Sequence, residues 1–338
     1  METSSLEVQR SRRRLGKVRA AIKLVIIALV LISVVLLSMI VGFSPKSPPE
    51  MNSINETAKR MDFSDLPPYS HFAARDGTQL AYRSYPGSSE RIAILIHGSS
   101  GSSRNMHALG KALSKKGVTA FALDMRGHGE SGKHGDIAYV GQLEDDLADF
   151  VAYIRSDYPH APITLIGHSS GGGFTLRVAG SSISNLFDNY ILLSPFLSHN
   201  SPTVRPAKSQ WANISIPRFA GITMLNLAGI HCFDSWPVVA LAVPDNLSFL
   251  TDKYSYRLAR NFGANDDYIN ADYLDNFRKC SRPITIIVGA NDELFYADKF
   301  APEVRSVTDQ VAVEIVPSVN HMAMVSDEMA LKTIVKKF

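Results

Sequence analysis

The sequence predicts an α/β fold: a mostly parallel eight-stranded sheet with helices on both faces and an inserted cap, preceded by one N-terminal transmembrane helix. Three observations predict it. Residues 24–43 form an apolar run without a charge. From residue 70 onward, short apolar runs rich in β-branched residues alternate with helical patterns, as in a sheet whose strands are joined by helices. Residues 195–277 interrupt this alternation and predict the cap.

Residues 24–43 are long enough to cross a membrane. A helix rises about 1.5 Å per residue, so this run spans the roughly 30 Å hydrocarbon layer. Residues 1–23 carry seven basic and two acidic side chains. The positive-inside rule therefore predicts a cytoplasmic tail over 1–23, an anchor over 24–43, and the remaining chain on the periplasmic or lumenal side. A cleaved signal peptide is the alternative, although the run is long for one and no A-x-A site follows it.

The chain after the anchor is mildly acidic, with a net charge of −2 against +3 for the whole protein. Such a body lacks the basic surface that nucleic acid requires, so no nucleic-acid partner is expected. Residues 44–68 are rich in proline and predict an extended linker before the body at 69–338. Cys232 and Cys280 are too few for a disulfide scaffold, and the sequence allows either a bond between them or two free thiols.

The body begins with a predicted hairpin, because residues 70–74 and 79–84 flank the turn signal Asp76-Gly77. Continuous apolar runs, which are typical of strands buried on both faces, then predict parallel strands. These runs are 91–97, 118–124, 163–167, 190–194, 284–289 and 311–316. Helices are predicted over 105–116, 140–156, 174–179, 297–307 and 324–337. Residues 195–277 are too long for a plain loop and predict a partly helical cap.

The pattern G-x-S-x-G occupies residues 167–171, directly after a predicted strand and before a helical run. This is the strand–turn–helix context in which the central serine acts as a nucleophile. Ligands of parallel α/β sheets bind at the carboxyl ends of the strands, where this turn falls. Ser169 is therefore the predicted nucleophile, and a serine that merely caps the helix is the alternative.

A serine hydroxyl needs a base that removes its proton and a carboxylate that holds the base. In this fold the expected chain order is serine, acid, histidine. The histidines after Ser169 are His199 and His231, in the predicted cap, and His321, just beyond the last strand. His321 is therefore the predicted base.

The predicted acid lies in VGANDELF, where Asp292 follows a strand that ends at Gly289. Glu293 is adjacent, but neighbours on a loop point in different directions, so only one faces His321. Asp292 is preferred.

Two backbone amides must stabilise the negative oxygen that forms during acyl transfer. Ser170 follows the nucleophile and is expected to supply one. The loop after the first parallel strand, His97-Gly98-Ser99-Ser100-Gly101, is expected to supply the other from Ser99, with Gly98 allowing the turn. The loop lacks the phosphate-binding pattern G-x-x-x-x-G-K-[ST], so nucleotide binding is not expected.

A polar segment, residues 124–132, follows the next strand. Asp124 and Arg126 are expected to brace the nucleophile turn through buried hydrogen bonds, without acting in catalysis. His97 and Gly98 are expected to support the site, also without acting in catalysis. His128 and His134 lack the spacing of a metal site, so no metal is expected.

Five segments in order resemble the α/β-hydrolase superfamily, in particular its branch of monoacylglycerol lipases, lysophospholipases and serine aminopeptidase-like hydrolases. They are ILIHGSSGSS, LDMRGHGESG, LIGHSSGG, VGANDELF and SVNHMAM, within about residues 70–338. The resemblance implies about eight strands, a cap after the sixth, and no cofactor. It implies the same triad, Ser169, Asp292 and His321, and the Ser99 and Ser170 amides. Ser99 departs from the small apolar residue frequent in such lipases, and the cap is not diagnostic of a substrate.

Three functions remain open at this stage. The preferred one is an anchored serine hydrolase of acyl esters, such as a monoacylglycerol or a lysophospholipid, that reaches its substrate at the membrane. The second is a serine aminopeptidase or amidase, in which Asp266, Asp267 or Asp272 of the cap would hold an amino group. The third is a tethered binding protein without activity, which the complete triad disfavours.

Overall fold

The computed structural model describes residues 2–206, 211–244, 247, 250–264 and 272–338. These residues form two compact units. The first contains the chain up to Ser44 together with Ser215–Phe233, and the second contains Pro45–Ile214 and Asp234–Phe338. Asp266 and Asp267, considered above as amine-binding residues, lie outside the described residues.

The described elements are as follows in chain order. The helices are α1 (Glu2–Gly42), α2 (Asn52–Lys59), α3 (His107–Lys115), α4 (Gln142–Ile154), α5 (Ser170–Ala179), α6 (Ile216–Leu227), α7 (Tyr256–Asn261), α8 (Tyr273–Lys279), α9 (Ala297–Arg305) and α10 (Glu328–Val335). The strands are β1 (Ser70–Ala73), β2 (Gln79–Tyr85), β3 (Ile92–Ile96), β4 (Thr119–Leu123), β5 (Ile163–His168), β6 (Asn189–Leu193), β7 (Ala212–Ile214), β8 (Pro237–Leu241), β9 (Lys253–Ser255), β10 (Ile284–Gly289) and β11 (Val311–Val316). Short 3₁₀ turns lie at Ser103–Met106, Ser184–Leu186 and Met322–Val325.

The first unit pairs the long helix α1 with α6. Within α1, Arg13–Gly42 is long and apolar enough to cross a membrane. The last carbonyls of a helix lack partners in the helix itself, and here α6 and the residue before it donate to two carbonyls at the end of α1. Arg218 Nε donates to Ile40 O at 2.6 Å, and Ser215 Oγ donates to Phe43 O at 2.6 Å. Gly221 permits the close approach, since a Cβ there would lie 2.9 Å from Ile40 Cγ1.

The second unit contains the predicted eight-stranded sheet, in the order β1-β2-β4-β3-β5-β6-β10-β11. The pairs β1–β2 and β2–β4 are antiparallel, and every other pair is parallel. The hairpin and the six apolar runs predicted from the sequence are all strands, which confirms the fold class. β3, β4 and β5 are buried along their whole length, as continuous apolar runs require.

Helices cover both faces of this sheet, and the side chains of β4 contact helices on each face. Ala120 and Ala122 belong to the same core cluster as α3 and α10. Phe121, which points to the opposite face because side chains alternate along a strand, contacts Phe150 of α4 with ring centroids 5.6 Å apart. The small alanines on one face leave room for α3, and aromatic packing fills the other.

Two segments differ from the sequence-based expectation. Residues 44–68, predicted as an extended linker, contain α2, because Met51 and Ile54 bury their side chains against other residues of the second unit. The predicted cap region contains more than helices, since β7, β8 and β9 form a separate antiparallel sheet. Cys232 and Cys280 are both free thiols.

Candidate active site

The nucleophile turn, residues 167–171 around the predicted nucleophile Ser169, forms where β5 meets α5. Ser169 lies between them with φ 55° and ψ −120°, a strained conformation for a residue with a side chain. Its amide donates to Leu193 O at 2.9 Å, and its carbonyl accepts from the Phe196 amide at 2.9 Å. These bonds to β6 and the loop after it hold the turn, and the side chain is almost completely buried.

Close backbone contacts require glycine at both ends of the G-x-S-x-G pattern. A Cβ on Gly167 would lie 2.1 Å from Gly171 O, and a Cβ on Gly171 would lie 2.2 Å from His97 O. A Cβ on Gly98 would lie 3.1 Å from the Ser169 Cβ. The nucleophile turn and the loop after β3 therefore approach each other closely only because glycine occupies these positions.

Asp292 and His321 form a buried pair. Asp292 Oδ2 lies 2.8 Å from His321 Nδ1, and both side chains are at most 3% exposed. Asp292 Oδ1 accepts from the amides of Leu294 and Phe295, each at 2.9 Å. Glu293 points elsewhere, and its Oε2 accepts from the His321 amide at 2.8 Å. The acid at 292 thus orients the ring, and the acid at 293 holds the backbone.

The pKa values of Asp292 and His321 are both shifted from their ordinary values. Burial alone would lower the pKa of His321, but the charge of Asp292 and its hydrogen bond raise that pKa above 6.5. Burial would raise the pKa of Asp292, but the charge and hydrogen bond of His321 leave that pKa below its ordinary value. Asp292 is therefore ionised at neutral pH. It accepts the Nδ1 proton of His321, which leaves Nε2 as the basic ring nitrogen.

His168 is a neutral histidine beside this pair. Its Nε2 donates to His321 O at 3.0 Å, and the two rings lie 4.7 Å apart. Burial, together with the positive charge that His321 can carry, lowers the pKa of His168 to about 3. Sequence reasoning assigned no role to this residue, although it occupies the variable position just before Ser169.

The loop after β3 is held by residues of the predicted cap region. The Ser100 amide donates to the Tyr254 hydroxyl at 2.9 Å, and Trp211 Nε1 donates to Ser99 Oγ at 2.9 Å. Across the described part of the chain, the amides of Ser99 and Ser170 donate to no protein acceptor. Both amides are thus available for a ligand oxygen. Nothing in the local sequence indicated Trp211 or Tyr254, because their contacts join distant parts of the chain.

The side chains of Asp124 and Arg126 bond to elements other than the nucleophile turn. Asp124 accepts from the Ser103 amide at 2.6 Å and from the Glu130 amide at 2.8 Å, so it supports the segment after the Ser99 loop. Arg126 forms a fork with Asp146 of α4, at 2.8 and 2.7 Å. It also contacts the β1–β2 hairpin through Asp76.

The prediction that Asp124 and Arg126 brace the nucleophile turn was therefore wrong. Within the described residues, neither side chain bonds to that turn. The partners of Asp124 and Arg126 lie in the loops around them, in α4 and in the β1–β2 hairpin.

His97 lies closer to the turn. Its Nδ1 donates to Gly98 O at 2.7 Å, and its Nε2 accepts from the Met125 amide at 3.2 Å. Burial lowers the pKa of His97, so the ring is neutral and both of its nitrogens have partners. His97 joins the ends of β3 and β4 and fixes the start of the Ser99 loop.

One cavity of about 80 Å³ brings these groups together. Ser169, His168 and His321 line it with the loop Gly98–Gly101. The remaining wall is mostly apolar, and its members are Ile54, Asn55, Asn105, Trp211, Pro244, Leu247, Leu250, Leu294 and Met322. No acidic side chain is among the described residues that line the cavity.

Comparison with known proteins identifies the family and the fold. The family model described as serine aminopeptidase S33 matches residues 87–328. The monoglyceride lipase of Rattus norvegicus is 27% identical over 208 residues, which are 57% of this chain and 67% of the rat protein.

Solved structures share the fold. A soluble variant of monoglyceride lipase from Saccharomyces cerevisiae, in complex with a substrate analog, matches with a TM-score of 0.58 at 18% identity, over 82% of this chain and 96% of that one. The monoacylglycerol lipase of Paleococcus ferrophilus matches with a TM-score of 0.54 at 16% identity, over 76% and 97%. At these identities the structures establish the α/β-hydrolase fold alone. The family match covers most of the chain, which therefore belongs to the serine aminopeptidase S33 family of serine hydrolases.

Proposed function

We propose that the protein hydrolyses acyl esters with an apolar acyl group, such as a monoacylglycerol or a lysophospholipid, through Ser169, His321 and Asp292. The observation that carries the proposal is the shared cavity, where Ser169 and His321 meet the Gly98–Gly101 loop within a mostly apolar wall. An apolar wall suits an acyl chain, and the few polar groups are grouped around the serine.

The proposed reaction follows from the hydrogen bonds around His321. Asp292 accepts the Nδ1 proton, so Nε2 takes the proton of the Ser169 hydroxyl as the oxygen attacks the ester carbonyl. The amides of Ser99 and Ser170 stabilise the negative oxygen of the tetrahedral intermediate. The histidine then protonates the leaving alcohol, and an acyl ester of Ser169 remains. Water, activated by His321, attacks this acyl ester, releases the acid and restores the serine.

The peptidase alternative has less support. An aminopeptidase must bind a charged amino group, and a buried ammonium needs a carboxylate partner. No described residue lining the cavity is acidic. Asp272, one of the candidates from the sequence, is exposed and pairs with Arg278 at 2.8 Å. An apolar acyl ester therefore fits the cavity better than a peptide amine.

The proposed location is a membrane with the hydrolase domain outside the cytoplasm. The long apolar part of α1 supports a span, and the basic side chains of residues 1–23 support a cytoplasmic N-terminus. A lipid ester is a substrate that an anchored enzyme meets at the bilayer surface. Attaching a glycosylation or cysteine-labelling tag after Phe338 and testing its accessibility in intact cells checks this orientation, and a cytoplasmic tag contradicts it.

Hydrolysis of p-nitrophenyl esters by the full chain in detergent tests the proposed activity. We expect turnover by the wild-type protein and loss of turnover in Ser169→Ala, which removes one oxygen atom from a buried side chain. Removing a triad member lowers kcat by about 10⁴-fold or more. Equal rates for the two proteins would exclude Ser169 as the nucleophile. Turnover of aminoacyl p-nitroanilides in preference to the esters would favour the peptidase alternative.

A further inference from the structure

We propose that α2, the short helix between the apolar N-terminal helix and the sheet, forms a wall of the acyl pocket and sets the acyl-chain length through Ile54. This inference rests on the proposed ester hydrolysis and adds a specificity-determining residue to it. The sequence predicts this segment as an extended linker.

The first observation is burial beside the catalytic loops. Met51 is 9% exposed and Ile54 is 4% exposed, although both precede the sheet by many residues. They form one apolar cluster with Ala242, against which Trp211, Leu294 and Met322 also pack. Leu294 lies two residues after Asp292, and Met322 directly follows His321. Ile54 of α2 and Met51, which directly precedes α2, thus pack against the two loops that carry the acid and the base.

The second observation is a hydrogen bond to the base's own loop. Asn320 Nδ2 donates to Thr57 Oγ1 at 3.0 Å, and Thr57 Oγ1 in turn donates to Ser53 O at 2.9 Å. Asn320 Oδ1 accepts from the Ala323 amide at 2.8 Å, closing the turn around His321. Thr57 therefore holds α2 against the turn that carries the base.

The third observation is that the segments flanking α2 are both bonded to the rest of the second unit. Before it, Asn213 Nδ2 donates to Lys46 O at 2.7 Å. After it, Asp65 pairs with Lys111 at 2.6 Å and with His107 at 3.0 Å. A helix held in this way keeps a defined position, which a wall of a binding pocket requires.

Ile54 is the residue through which α2 acts on substrate. It lines the cavity beside Ser169 and His321, whereas Met51 belongs to the same apolar cluster without lining the cavity. The cavity of about 80 Å³ is small, so one side chain of the wall changes the space for an acyl chain substantially. Met51 is therefore a matched control for Ile54, with similar burial and a different position.

The test compares p-nitrophenyl butyrate and octanoate as substrates of the full chain in detergent, with active sites counted by a fluorophosphonate. We expect Ile54→Ala to raise the octanoate-to-butyrate ratio of kcat/KM about tenfold, since a methylene in an apolar pocket changes this ratio by about ten- to 200-fold. Ile54→Trp is expected to lower the ratio by a similar factor. Met51→Ala is expected to keep the wild-type ratio.

The outcomes separate the two proposals. Because kcat/KM is expressed per labelled site, a partly folded variant still reports its octanoate-to-butyrate ratio. Ile54→Val removes less of the side chain than Ile54→Ala and should shift this ratio in the same direction by a smaller factor. Wild-type ratios in all Ile54 variants, or an equal shift in Met51→Ala, would overturn the wall while leaving the hydrolase intact. Failure of the wild-type protein to react with the fluorophosphonate at Ser169 would overturn the proposed function and the wall with it.

Discussion

His168 Nε2 donates a hydrogen bond to the carbonyl oxygen of His321 at 3.0 Å, and the two imidazole rings lie 4.7 Å apart. The residue next to the proposed nucleophile thus fixes the backbone of the proposed base, across 153 positions of sequence. Burial lowers the pKa of His168 to about 3, so this ring does not compete with His321 for protons near neutral pH.

Replacing His168 by phenylalanine is expected to lower kcat with a smaller effect on KM. The ring remains, but the His321 carbonyl loses its donor, and an unsatisfied buried acceptor costs about 1–3 kcal/mol. If that cost falls on the orientation of His321, kcat decreases about five- to 100-fold. Steady-state kinetics on a p-nitrophenyl ester measure the change. Wild-type kcat in a folded His168→Phe protein would show that the bond does not position the base.

The pH profile is expected to have one acidic limb, set by His321. The base works only when neutral, so kcat/KM is low below the pKa of His321 and rises with pH through it. Burial lowers this pKa, but Asp292 and Glu293 raise it above the ordinary 6.5, so the midpoint should lie above 6.5. Measuring kcat/KM from pH 5 to 9 checks the position, and a midpoint at or below 6.5 contradicts it.

Glu293→Gln provides the matched control for this pH profile. The glutamine oxygen still accepts from the His321 amide, but the negative charge that helps to raise the His321 pKa is gone. The acidic limb should therefore move to lower pH with little change in the plateau. Asp292→Asn, by contrast, should lower the plateau by about 10⁴-fold. An equal loss of plateau rate in the two variants would remove the distinction between the neighbouring acids.

Gly167→Ala is expected to destabilise the hydrolase domain strongly. The added Cβ would lie 2.1 Å from Gly171 O and 2.3 Å from Thr175 Oγ1, so the nucleophile turn must shift. Overpacking of this kind costs about 3 kcal/mol. Gly263→Ala is the control, since a Cβ there meets nothing within 4 Å. Urea unfolding in detergent compares the two, and similar free energies of unfolding would contradict the steric account.

Arg126→Ala is expected to destabilise the fold without altering the site chemistry. Arg126 and Asp146 have side chains that are 8% and 7% exposed, and removing the cation leaves a buried carboxylate unpaired. Breaking such a pair costs about 3–5 kcal/mol. Arg126→Lys keeps the charge but not the two-pronged contact, so it should recover only part of the loss. Urea unfolding measures stability, and fluorophosphonate labelling of the folded fraction should keep its wild-type rate.

The sheet was predictable because its signal is local. Runs such as 92–96 and 163–168 are apolar throughout, since strands in the middle of a parallel sheet meet helices on both faces. The nucleophile turn was equally predictable, because its glycine pattern is a local signal. A Cβ on Gly167 would meet Gly171 and Thr175, and a Cβ on Gly171 would meet His97 of the adjacent loop. The candidates Ser169 and His321 then followed from chain order and strand ends.

Features that depend on distant contacts escaped prediction. Residues 44–68 are predicted as an extended linker because they are polar and rich in proline, while Met51 and Ile54 gain their apolar partners only in the folded chain. Trp211 and Tyr254 reach the Ser99 loop from positions more than 100 residues away. The prediction for Arg126 failed in the opposite direction. Its position in a polar segment near the site suggested a bond to the nucleophile turn, but its side chain bonds to Asp146 of α4.

The most direct test of the proposed chemistry is covalent capture of the serine. The full chain in detergent is treated with a fluorophosphonate, digested, and examined by mass spectrometry. We expect one adduct on the peptide that contains Ser169, a labelling rate that rises with pH as His321 loses its proton, and no adduct in Ser169→Ala. An unmodified Ser169 in a folded protein, or undiminished labelling after His321→Ala, would contradict the account.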